Sequence, residues 1–127
     1  MKNKIKEWLM IADKDIISAQ ILMTHGHDVM GDAAFHCQQA IEKYFKAYLL
    51  ENNWQLEKTH NLTKLYGEIL NIKDLGVDAK ILKQIDDVYV DTRYPDDYSE
   101  PTEEEIKRFY NFAKEIEVKI KKELGAG

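Results

Sequence analysis

The chain has 127 residues, 44% hydrophobic and 32% charged, a balance that excludes disordered and membrane-embedded chains and allows one core without disulfides or metal staples. Its net charge of -5 excludes a surface that grips nucleic acid everywhere, because phosphate binding draws on clustered Lys and Arg. Any such binding must use a local patch.

Apolar residues at spacings of three and four predict a first helix over 5–24, with Ile5, Trp8, Leu9, Ala12, Ile16, Ala19 and Met23 on one stripe. Met10, Ile17 and Ile21 line up on nearly the opposite side, either as scattered surface apolars or as a contact strip for a second copy or a neighbouring helix. Gly26 and Gly31 mark a turn. A second helix is expected from Asp32 to Leu50, where Ala33, Cys37, Ala40, Ile41, Tyr44 and Tyr48 share a face flanked by Ala34, Phe45 and Leu49. So wide an apolar arc belongs to a central helix. Asn52 and Asn53 end it. Leu62, Leu65, Tyr66, Ile69 and Leu70 form a short third helix, and Leu82, Ile85, Val88 and Tyr89 carry a fourth from about Asp78 to Asp91. Pro95 and Pro101 bracket a loop. Thr102 and Glu105 then make a capping box that opens a last helix through Ile106, Phe109, Ala113, Ile116, Ile120 and Leu124. No stretch alternates as a strand, so the expected fold is all-α, an antiparallel bundle of four to five helices in one domain over 1–127.

No apolar run reaches the roughly 18 residues of a membrane span. The basic segment from Met1 to Trp8 leads into charged amphipathic sequence and lacks a signal-peptide core. One cysteine rules out an intrachain disulfide and agrees with a reducing compartment. A cytoplasmic protein is expected. Cys37 lies in the apolar arc and reads as an inert core residue.

Chemistry is sparse. Phosphate-loop, dinucleotide and nucleophile-elbow motifs are missing. A metal would need converging ligands, and Glu57-x-x-His60 stands alone while His25 and His27 flank a loop glycine. No metal and no cofactor are expected. On the second helix His36, Gln39, Lys43 and Lys46 follow at spacings of three, four and three, so they share a polar face. It is either simply solvated or a ligand face with charge, hydrogen-bonding capacity and a group that titrates near neutrality. Arg93 lies among Tyr94, Tyr98, Asp91, Asp96, Asp97 and Glu100. Either it pairs with these acids, or it clamps a phosphate while a tyrosine stacks on a base.

Three segments resemble the HEPN (higher eukaryotes and prokaryotes nucleotide-binding) domain family: Ala34-Phe35-His36-Cys37-Gln38-Gln39-Ala40-Ile41-Glu42-Lys43-Tyr44-Phe45-Lys46-Ala47-Tyr48-Leu49, then Lys58-Thr59-His60-Asn61-Leu62, then Thr92-Arg93-Tyr94-Pro95. Trp8, Ala12, Asp15 and Ala19 of the first helix also fit. The resemblance implies a helical homodimer, often encoded beside a minimal nucleotidyltransferase as a toxin-antitoxin-like pair. Some relatives are metal-independent ribonucleases with an Arg followed four to six residues later by His. Arg93 could fill the arginine role, but Tyr98, Ser99 and Glu100 stand where that histidine would be, and none follows His60.

The expectation is therefore a non-catalytic module that binds a nucleotide or RNA and partners a nucleotidyltransferase. Its ligand residues would be His36, Gln39, Lys43, Lys46, Arg93 and Tyr94, with Lys43 and Arg93 on phosphate. The alternatives are a ribonuclease built on Arg93 with His36 or His60, and a purely structural dimer.

Overall fold

The computed structural model describes residues 2–55 and 57–126, which form five α-helices. These are α1 (Asn3–His25), α2 (Met30–Glu51), α3 (Leu62–Leu70), α4 (Ala79–Asp91) and α5 (Glu103–Glu123). Single 3-10 turns at His27–Val29 and Pro95–Asp97 lie in the connections before α2 and α5. No strand occurs among the described residues. No helix among them is long and apolar enough to cross a membrane.

The helix positions follow the apolar periodicity, and α2 is central because it touches each of the other four helices. It is buried nearly all round: Ala33, Ala34, Cys37, Ala40, Ile41, Tyr44, Phe45, Ala47, Tyr48 and Leu49 all lie in the core. A helix apolar on most sides must be covered on most sides. Alanines recur every seven residues on α1 (Ala12, Ala19) and α2 (Ala33, Ala40, Ala47), all fully buried, so neither helix holds the other off with bulk along that line. Burial pushes the Cys37 thiol up to about 12, which makes it an inert core residue.

Connections are fixed by backbone chemistry. Gly26 turns the chain between α1 and α2 at φ 152°, a region an L side chain rarely enters. Asp86 on α4 accepts the backbone N–H groups of Leu62 and Thr63 at 2.9 and 3.1 Å and the Thr63 hydroxyl at 3.0 Å. Asn61 caps the same helix through the Lys64 N–H. Helix α3 starts where it does because α4 supplies acceptors for its orphan donors. The expected capping box of α5 is present, with Glu105 N–H donating to the Thr102 hydroxyl at 3.1 Å and Thr102 N–H to the Glu105 carboxylate at 3.0 Å. The helix starts that hold the 57–61 and 92–101 connections are thus both tied down.

Candidate functional site

The polar stripe of α2 lies against α1 and the 57–61 connection. Two acids organise it. Asp15, buried on α1 among Ala12, Ile16 and Ala19, accepts from His36 Nδ1 at 2.8 Å and from Lys43 Nζ at 2.5 Å. Residues 36 and 43 stand two turns apart on one line of α2, so both reach a single carboxylate. Glu42, with 5% of its side chain exposed, pairs with Lys46 at 3.0 Å and accepts from His60 Nδ1 at 3.0 Å. Gln38 and Gln39 also donate to Glu42, at 3.3 and 3.4 Å. Gln38, fully buried, donates to the His60 carbonyl at 2.6 Å. A carboxylate withdrawn from water is tolerable only when paired and hydrogen-bonded, and Glu42 is both.

Tyr89 of α4 joins the two halves. Its ring stacks on Phe35 with centroids 5.9 Å apart and meets the His60 ring at 6.2 Å. Phe35 in turn contacts the edge of His36 at 5.3 Å. One helical turn beyond Tyr89, Arg93 donates from Nη1 to the Tyr89 hydroxyl at 3.1 Å, with its guanidinium 5.0 Å from the ring centre. Burial holds the Tyr89 hydroxyl above its ordinary titration range against the pull of Arg93. Among the described residues Arg93 makes no ion pair, although Asp91, Asp96 and Asp97 are near in sequence. Beside it opens a cavity of about 260 Å³ lined by Gly31, Asp32, Phe35, Thr92, Arg93 and Tyr98. Glu100 ties two of these lining residues together. It accepts from the Gly31 N–H at 2.9 Å and from the Tyr98 hydroxyl, and a Cβ at Gly31 would lie 3.1 Å from that hydroxyl.

The residues singled out from sequence fall into distinct settings. His36, Gln39, Lys43 and Lys46 do share one face of α2, but it is a docking face rather than a freely solvated one: the Lys46 side chain is 8% exposed and lies against Glu42. Lys43 is held by Asp15 and Arg93 by Tyr89, so the two cations have separate partners. Tyr94 is 59% exposed. His60 turns Nδ1 to Glu42, while Glu57 of the same Glu-x-x-His pairs with Lys64 at 3.6 Å. No three His, Cys, Asp or Glu side chains among the described residues come together as a metal cage.

Sequence reasoning did not assign Asp15, Gln38, Glu42 or Tyr89 to the site. Signals for three of them exist: an acid inside the apolar stripe of α1 for Asp15, and for Glu42 and Tyr89 a position four residues before Lys46 and Arg93, a spacing at which helical side chains meet. Chemically, each imidazole has Nδ1 engaged by a carboxylate. That fixes the tautomer and leaves Nε2 to exchange hydrogen bonds or a proton with a ligand.

The fold has known counterparts. The crystal structure of TT1696 from Thermus thermophilus superposes with a TM-score of 0.76 at 25% identity, over 95% of this chain and 98% of that one. ST0689, an archaeal HEPN homologue, gives a TM-score of 0.68 at 25% identity, over 97% and 98% of the two chains. No curated protein matches the sequence. The HEPN domain pattern matches residues 5–123, from the first buried turn of α1 to the end of α5, and the chain belongs to the HEPN domain family.

Proposed function

We propose that the chain is a nucleotide- or RNA-binding module that takes a phosphate at Arg93 beside Tyr89 and His60. The observation that carries this reading is the state of Arg93: among the described residues it has no acidic partner, and it lies over an aromatic ring next to a cavity. A guanidinium in that state is free to fork onto a phosphate. His36 and His60 add imidazoles whose orientation the buried carboxylates set. Lys43 and Lys46 contribute field rather than direct contact, since Asp15 and Glu42 already hold them. In the cell, the module works as a homodimer beside a minimal nucleotidyltransferase, in a toxin-antitoxin-like pair. The strip of Met10, Ile17 and Ile21, each at least half exposed, is the surface that a second copy covers.

One observation supports a second reading, a metal-independent ribonuclease. The two carboxylate-held histidines supply the acid-base group missing after Arg93. Incubation with single-stranded RNA in EDTA, together with a nucleotide thermal-shift series, tests both. Binding and stabilisation without cleavage is the expected outcome. Cleavage lost in His60→Ala or His36→Ala would establish the ribonuclease instead, and neither binding nor cleavage would leave a structural dimer.

A further inference from the structure

A second cavity, of about 470 Å³, opens beside His60 between the start of α1 and the 57–61 connection, lined by Trp8, Lys46, Glu57, Lys58 and His60. Its volume falls within the roughly 300–1,000 Å³ of small-ligand sites. The walls are an indole, an imidazole and the hydrocarbon stems of two lysines, which present apolar surface up to their charged tips. Trp8 packs against the core yet stays partly open. Among the described residues no aromatic ring stacks on it. Lys58 is exposed and has no ion-pair partner among them. Glu57, whose only described partner is Lys64 at 3.6 Å, offers acceptors alone.

This combination suits one chemical class, a flat heterocycle with N–H donors on its edge and a phosphate attached to it. The ring would lie on Trp8, its edge would face Glu57, and the phosphate would meet Lys58 and the outward side of His60. We infer that this cavity is a nucleobase subsite, built on Trp8, of the phosphate site proposed at Arg93. The inference rests on that proposal and extends it to a second position.

The geometry also favours a chain over a single nucleotide. Lys46 lines this cavity and Phe35 lines the one at Arg93. Eleven residues of α2 separate them, about 16 Å at 1.5 Å per residue. His60 touches both regions: its ring is 6.2 Å from that of Tyr89, and it lines the Trp8 cavity. A single-stranded RNA of a few nucleotides engages both cavities at once, and each contact then raises the effective concentration for the other. A mononucleotide fills only one.

The test uses the full chain in EDTA with a Trp54→Phe background, which leaves Trp8 as the sole indole. Titration with a tri-adenylate RNA should quench Trp8 emission, saturating together with binding followed by calorimetry. Trp8→Leu should weaken that binding by about fivefold or more, the low end of what one stacked base contributes. Trp8→Phe, which keeps a stacking face and guards against a folding defect, should restore most of it. Adenosine monophosphate should bind more weakly than the trinucleotide; equal affinity with equal quenching would keep the subsite and make the free nucleotide its ligand. RNA binding that depends on Arg93 but leaves Trp8 emission unchanged, with wild-type affinity in Trp8→Leu, would overturn the subsite and leave the Arg93 site standing. No RNA or nucleotide binding by the wild type would overturn both.

Discussion

Asp13 and Asp15 stand two residues apart on α1, and each anchors a polar network on its own side of the contact with α2. Asp13 accepts from the buried Tyr44 hydroxyl at 2.5 Å and pairs with Lys121 of α5 at 2.9 Å. Lys121 also pairs with Glu117 at 2.7 Å, and Glu117 with Lys114 at 2.8 Å. This network joins carboxylates to ammonium groups and a phenol. The Asp15 and Glu42 network joins carboxylates to two imidazoles, one of them on a side chain that is 61% exposed. It leaves ring nitrogens and, through Tyr89, a guanidinium facing outward. Both contain ion pairs and both border a cavity, but only the second carries imidazole nitrogens and a guanidinium without an acidic partner among the described residues, so the kind of group presented rather than charge count separates a site from a brace.

The largest expected effect comes from Glu42→Ala, which strands the Lys46 ammonium in the core. Removing one partner of a buried pair costs about 3–5 kcal/mol, and the same change frees His60 from its orientation. Denaturant unfolding should show the loss, and RNA binding should fall even where the variant is folded. Stability within about 0.5 kcal/mol of wild type would mean that the pair is not buried in solution.

Asp13→Ala is the matched control on the other side of α1. It leaves the Tyr44 hydroxyl without its acceptor, a cost of about 1–3 kcal/mol, yet RNA affinity should not change. If affinity dropped as far as in Glu42→Ala, the distinction between brace and site would fail.

Ile17→Glu touches neither network, because Ile17 is exposed on the outer face of α1. In the monomer fold its effect should stay within about 0.5 kcal/mol. Its effect on assembly should be large, since a charge buried unpaired in an interface is costly. Sedimentation at micromolar concentration should give about twice 14.9 kDa for the wild type and 14.9 kDa for the variant. A wild-type monomer removes the dimer, and a variant that remains dimeric moves the interface off this strip.

The smallest effect is a pH dependence confined to the brace. Burial raises the Glu117 carboxyl, but Lys114 and Lys121 more than offset this and hold it below the ordinary carboxylate range. A depressed native value means that folding favours the ionised form. The contribution is therefore fully present above the unfolded carboxylate value and is lost as pH falls through the native one. Between about pH 6 and about pH 3, wild type should lose more stability than Glu117→Gln. Parallel losses would show that Glu117 contributes nothing to acid sensitivity.

The helices were legible because each depends on local pattern. The stripe of α1, the wide arc of α2 and the Thr102 and Glu105 box are read within a few residues, and all three occur as expected. The site was half legible. Spacing alone placed His36, Gln39, Lys43 and Lys46 on one face, but what each side chain does there depends on groups contributed by other elements. Lys43 and His36 look solvated until α1 brings Asp15 against them across 28 and 21 residues. Tyr89 read as one more apolar position on α4, and only the folded chain sets it between Phe35, His60 and Arg93. Arg93 appeared to have acidic partners in sequence, yet the turn that ends α4, with Arg93 N–H donating to the Val90 carbonyl at 3.1 Å, carries it back over Tyr89 instead.

The claim that the open network is a phosphate site is tested most directly by calorimetric titration of single-stranded RNA, in EDTA, into wild type and Arg93→Ala. Wild type should bind with modest affinity that weakens steadily as salt is raised. Arg93→Ala should keep its thermal stability and lose about tenfold or more in affinity, the scale of a charge-assisted hydrogen bond. Wild-type affinity in Arg93→Ala, or no binding by the wild type at low salt, would contradict the assignment.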